Sequence, residues 1–221
     1  MKEIGGGDVF LKLVDYYAAW LELLGVEVHL NSPVDRRLVE REGVDVCVVA
    51  TGSHYPVPPE WTENGGPPVV DVMPALTGNV EIGNRVVVIG GQRAGLVAAE
   101  HLASAGHEVE IVEAGKRLAG DVVPTFKWRH NAWLTELSLS PRKNTRVLGI
   151  EAAGVRVSNG DGHEQVLPAD TVIVSSTRRS NDALITELDF SADELYAIGD
   201  AVAPRSMHNA VHDGYRLGVR I

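Results

Sequence analysis

Cysteine is almost absent from this chain: among 221 residues there is one, Cys47. A lone thiol excludes an internal disulfide, a four-cysteine zinc site and an iron–sulfur cluster held by the chain's own cysteines. It lies in the apolar run Val44-Asp45-Val46-Cys47-Val48-Val49-Ala50, where it reads as a buried core thiol. Basic residues are also scarce, 20 Lys and Arg against 30 Asp and Glu, for a net charge of -10. With no Lys/Arg stripe to focus a positive field, nucleic acid and anionic membrane are excluded as expected partners. Long hydrophobic runs are lacking too, and Met1-Lys2-Glu3-Ile4-Gly5-Gly6-Gly7 carries no apolar leader. The expectation is a soluble, cytoplasmic protein in a reducing compartment.

What is present is ordinary globular composition, 44% hydrophobic and 23% charged residues. The length exceeds one common domain and barely suffices for two small ones. Apolar residues from Val9 to Leu24 recur at helical spacing, between Asp8 as N-cap and Gly25 as C-cap. Val26-Glu27-Val28-His29-Leu30 alternates like a strand, and Val44 to Ala50 reads as a buried parallel strand ending at Thr51-Gly52-Ser53. Pro56 to Pro68 is an irregular crossover. Short alternating pieces surround the turn Asn159-Gly160-Asp161-Gly162 and predict a small antiparallel meander. Thr171 to Ser175 and Leu195 to Ile198 are further strands, and a helix is expected from about 206 to 221.

The sharpest pattern is Val86-Val87-Val88-Ile89, then Gly90-Gly91-Gln92-Arg93-Ala94-Gly95, a helix stopped by Gly106, and the strand Glu108 to Val112 closing on Glu113. In such a strand–helix–strand unit the first glycine makes the tight turn and the last lets helix and strand pack closely. A diphosphate sits on the helix amides, and the terminal acid accepts from a ribose hydroxyl. Gln92 stands at the second glycine of the pattern, where phosphates come closest. Glu113 points to NADH over NADPH, while Lys116 and Arg117 point the other way, so that choice stays open. A second signal comes from Ala50-Thr51-Gly52 and from Tyr196-Ala197-Ile198-Gly199-Asp200-Ala201, two strand ends that close in small or acidic residues. Asp200 beside a helix start suits a ribityl or ribose hydroxyl.

Taken in order, these blocks resemble the C-terminal region of the 2,4-dienoyl-CoA reductase and trimethylamine dehydrogenase family of old-yellow-enzyme-like flavin oxidoreductases. The matching stretches are Asp15-Tyr16-Tyr17, Leu24 to Val28, Val49 to Ser53, Val86 to Gly95, Gly106 to Val109, Ala169 to Ile173, Tyr196 to Arg205 and Ala210 to Tyr215. The resemblance implies an α/β fold of two glutathione-reductase-like Rossmann-type dinucleotide-binding domains, one inserted in the other. An FAD-like domain would comprise 1–76 plus 190–221, and an NAD(P)-like domain 77–189. By the same resemblance Thr51, Gly52, Asp200, Ala201, Arg205 and His212 line the flavin nucleotide. Gly90, Gly91, Gln92, Gly95 and Glu113 line NAD(P)H.

The family's first FAD-binding glycine motif, its FMN barrel and its cluster cysteines have no counterpart here. The implied states are a fragment, a subunit needing a partner chain with the FMN-binding barrel or the missing FAD-binding segment, or a descendant that lost flavin. The chain by itself is expected to turn over no substrate, and no side chain is assigned a catalytic role. The alternative is a non-catalytic subunit that holds ADP and stabilises a partner. No metal site is expected, since His208 and His212 at i and i+4 lack a third ligand. The stripe from Thr125 to Leu137 reads as helix core, Arg178-Arg179 as a solvated loop, and Ser53-His54 lacks the elbow of a hydrolase.

Overall fold

The computed structural model describes residues 7–63 and 65–221, with side chains from Leu11 onward, so Gly5, Gly6 and the side chain of Asp8 lie outside the described set. In chain order the elements are α1 (Gly7–Leu23), α2 (Arg36–Glu42), β1 (Val46–Val49), β2 (Ser53–His54), β3 (Val69–Asp71) and α3 (Val72–Thr77). There follow β4 (Arg85–Ile89), α4 (Arg93–Ser104), β5 (Glu108–Val112), α5 (Pro124–Glu136), β6 (Arg146–Glu151) and β7 (Gly154–Ser158). The last are β8 (Glu164–Pro168), β9 (Thr171–Val174), β10 (Arg179–Ser180), α6 (Ala183–Glu187), β11 (Glu194–Ala197) and α7 (Met207–Gly218). Two compact units result: a middle unit, Tyr55–Thr177, and a terminal unit of the residues up to His54 with Arg178–Ile221. The family resemblance puts these boundaries at 76/77 and 189/190. Hydrogen bonding of β3 to β9 is what draws residues 69–71 into the middle unit.

The middle unit is built on a parallel sheet in the order β3-β9-β4-β5. Four successive apolar residues in β4 are needed because both faces of a parallel sheet are covered. Val86 and Val88 pack with Leu96, Ala99 and Leu102 of α4, while Val87 and Ile89 pack with Ile150, Val155 and Val157. The latter come from the antiparallel sheet β6-β7-β8. Helix α4 has small residues, Ala98 and Ala99, on its buried side, which lets it approach the sheet. Phe126 and Trp128 on α5 are exposed, and its buried residues are His130 and Leu134. The 125–137 stripe is therefore not helix core through its aromatics.

In the terminal unit β1 pairs in parallel with β11, and β2 pairs antiparallel with β10. The core here is small: Val39, Val49 and Leu188, flanked by Cys47, Leu184 and Leu195. Asp35 caps α2 by accepting from the Leu38 amide, and Ser206 and Asn209 form a capping box on α7. Two expectations fail. Residues 26–30 form no strand, because no neighbouring strand among the described residues bonds their backbone. Val46 and Val48 are not buried, at 36% and 38% exposure, because β1 has a single partner. Cys47 is correspondingly only half-buried.

Candidate functional site

In the middle unit the turn after β4 is fixed by backbone contacts. Gly90 has φ +110°, and a Cβ there would lie 2.1 Å from the Ser175 carbonyl oxygen. A Cβ at Gly95 would lie 1.9 Å from the Gly90 carbonyl oxygen. No side chain fits at either position, which is why the pattern demands glycine. Glu113, buried at the end of β5, reaches back across the sheet edge. Its Oε2 accepts from the Gly91 amide at 2.7 Å and its Oε1 from the Gly115 amide at 2.6 Å.

The loop after β5 folds over this turn. The Ala119 amide donates to the Gly91 carbonyl at 2.8 Å, and a Cβ at Gly91 would meet Leu118 Cδ2 at 2.4 Å. Gln92 is the N-cap of α4, but its own side chain makes no cap. It turns instead to the loop, where its Oε1 accepts from the Asp121 amide at 3.2 Å. The cap comes from Asp121, whose Oδ1 accepts from the Arg93 amide at 2.8 Å, while Arg93 Nη2 donates to the Asp121 carbonyl at 2.6 Å. Leu118–Asp121 thus covers the glycine turn, and the Arg93 amide is already satisfied by a carboxylate.

Behind the turn, α4 and α5 share a buried pair. Glu100 Oε1 and His130 Nδ1 lie 2.8 Å apart, and Glu100 Oε2 has no hydrogen-bond partner. Burial pushes the Glu100 carboxyl up to about 8, against a smaller opposing pull from Arg129. Burial also holds His130 below its ordinary value, helped by Arg93 and Arg129. Near neutrality both groups are therefore uncharged, as burial without a compensating charge requires.

In the terminal unit Asp200 is a hub. Its Oδ2 accepts from Arg178 Nη1 at 2.6 Å and from the Ser53 hydroxyl at 3.1 Å, and its Oδ1 from the Arg205 amide at 2.8 Å. Arg178 also donates to the Arg205 carbonyl at 2.6 Å. The Arg205 side chain pairs with Asp213. Thr51 Oγ1 donates to the Asn181 carbonyl at 2.5 Å, and Gly52, at φ +75°, accepts from the Asn181 amide at 2.9 Å. Ala201 is buried behind Asp200, whereas His212 is exposed and stacks on His208. A carboxylate offers about four acceptor positions, of which three are taken. The remaining one suits a ribityl or ribose hydroxyl, so this part of the donor set fits a flavin nucleotide.

Thr51, Gly52, Asp200, Ala201 and Arg205 thus come together, and so do Gly90, Gly91, Gln92, Gly95 and Glu113. Two residues of these arrangements escape a reading of the sequence. Arg178 is no solvated loop residue but the main partner of Asp200. Asp121 gives no signal beyond following a glycine. No group of His, Cys, Asp and Glu among the described residues is placed to hold a metal ion, and no helix among them is long and apolar enough to cross a membrane.

The pattern of the pyridine nucleotide-disulphide oxidoreductase family matches residues 25–214. A metal reductase of Desulforamulus reducens is 27% identical over 97% of this chain and 37% of its own length. A 2-naphthoyl-CoA reductase, solved in complex with 2-naphthoyl-CoA, superposes with a TM-score of 0.89 at 32% identity, over 96% of this chain and 32% of that one. Histamine dehydrogenase from Rhizobium sp. 4-9 superposes with a TM-score of 0.81 at 23% identity, over 97% of this chain and 36% of its own, a likeness of fold. The chain thus spans about a third of the length of the relatives it matches.

Proposed function

Because this chain belongs to the pyridine nucleotide-disulphide oxidoreductase family, we propose that it is the dinucleotide-binding part of a flavin-dependent oxidoreductase. The resemblance read from its motifs stands, since the matched relatives are reductases and a dehydrogenase of that kind. The observation that carries the reading is the β4–α4–β5 unit: glycines packed too tightly for any Cβ, with Glu113 closing on the Gly91 amide. In this reading the terminal unit contributes Asp200, held in place by Arg178, Ser53 and the Arg205 amide, to orient a flavin's hydroxylated chain. A bound flavin supplies the electron-carrying chemistry, and the protein supplies position and electrostatics. FAD is the proposed cofactor of the terminal unit, where Asp200 would hold it; NAD(P)H would supply the electrons that a bound flavin would hand to a partner carrying an FMN barrel.

Support for a partner comes from the terminal unit. Trp20, Leu23, Leu24, Val28 and Leu30 are exposed, and Leu30 reaches 79%. That much exposed apolar surface in one unit is characteristic of an interface.

A second reading is favoured by a specific observation. Leu118–Asp121 stand over the glycine turn of the middle unit, as suits a non-catalytic subunit that supports a partner structurally, or that takes up ADP only when the segment moves aside. The two readings separate in a melting titration of the purified chain with FAD, ADP, NADH and NADPH. A ligand at a hundredfold excess over its dissociation constant stabilises by about 2.7 kcal/mol. Stabilisation by FAD is the expected result; a shift with ADP alone supports the second reading in its ADP-holding form, and no shift with any of them contradicts the first reading.

A further inference from the structure

The first amide of a helix such as α4 is the group to which a dinucleotide's diphosphate binds, because unpaired N–H groups and the helix dipole favour an anion there. Here that amide, on Arg93, already holds an anion, the Asp121 carboxylate at 2.8 Å. Three further contacts seat the same segment: Ala119 N–H on the Gly91 carbonyl, Asp121 N–H on Gln92 Oε1, and Arg93 Nη2 on the Asp121 carbonyl. Leu118 Cδ2 covers the face of Gly91 that would otherwise lie open to a close ligand. Gln92, at the position where the pattern has its second glycine, thereby gains a role: it fastens the covering loop.

We propose that Leu118–Asp121 is a built-in occupant of the middle unit's dinucleotide cradle, Asp121 standing where the diphosphate would stand, so that a nicotinamide dinucleotide binds only by displacing it. The proposal rests on the reading of β4–α4–β5 as a dinucleotide cradle. Binding is then opposed by the fraction of molecules with the loop closed. Breaking the contact between Asp121 and Arg93 raises the open fraction, and apparent affinity with it. The loss of an N-cap corresponds to a gain of about fivefold.

The test is calorimetric titration of NADH into the full chain and into its Asp121→Ala variant. Tighter binding by the variant, about fivefold, is expected. Asp121→Asn, which keeps an acceptor for the Arg93 amide, guards against misfolding and should show a smaller gain of the same sign. Trypsin gives an independent readout at exposed Lys116 and Arg117, just ahead of the segment. Saturating NADH should speed cleavage of the unsubstituted chain at these two bonds. Equal or weaker affinity in both variants, protection of the two bonds by NADH, or no NADH binding in any form would overturn the proposal. FAD retention by the terminal unit, measured on the same samples, reports separately on the oxidoreductase reading.

Discussion

Gly95 shows how little latitude the nucleotide turn has at the level of a single residue. Its missing Cβ is what allows α4 to start against the Gly90 carbonyl, so Gly95→Ala forces backbone to move. The expected cost is about 3 kcal/mol or more, read from urea unfolding. Glu113 carries a different burden, since it satisfies two amides at once. Glu113→Ala leaves the Gly91 and Gly115 N–H groups without their acceptor, at an expected cost of about 2 kcal/mol in the same measurement. The glycines and Glu113 were legible in the sequence because their spacing is set by the fold itself. Arg178 and Asp121 were not. Each acts across more than twenty residues of chain, on Asp200 and on Arg93 respectively, and nothing in local spacing marks such a partner.

Helix α4 reads clearly from its small-residue pattern, β4 from its continuous apolar run, and edge strand β5 from its Glu-Val-Glu-Ile-Val alternation. The contact of α4 with α5 carries a property that hydrophobic periodicity does not reveal. Glu100 in the folded chain holds its proton to about pH 8, whereas its ordinary value is 4.5. Between those two values the unfolded chain has released a proton that the folded chain retains, so stability falls as pH rises through that window. His130, held below 6.5, acts in the opposite sense, and its contribution is lost as pH falls through 6.5. Glu100→Gln removes only the first effect. Urea unfolding between pH 5 and pH 9 should show the variant gaining stability over the parent as pH rises; parallel curves would mean that Glu100 ionises freely. Segment 26–30 illustrates the reverse error. Its alternation is that of a strand, but alternation specifies faces and a strand also needs a neighbour to bond.

For the whole molecule, the family membership and the two-unit division rest on different grounds from the site. Family motifs were readable because they combine glycine geometry with charge at fixed strand ends. The extent of apolar surface on the terminal unit was not, since a helix pattern shows which face is apolar but not whether anything covers it. Leu23 and Leu30 are so exposed that Leu23→Lys with Leu30→Lys should leave stability within about 0.5 kcal/mol of the parent per site. Binding to the proposed partner chain, read by sedimentation, should then weaken. Unchanged association would place the interface elsewhere.

The most direct measurement is equilibrium dialysis of the chain against FAD, with the retained flavin read by its visible absorbance. Expected is up to one flavin per chain, with affinity reduced at least about tenfold in Asp200→Asn, since a charge-assisted hydrogen bond is worth about 1.5–3 kcal/mol. Retention of no flavin, or retention that Asp200→Asn leaves untouched, would contradict the assignment of the terminal unit to a flavin nucleotide.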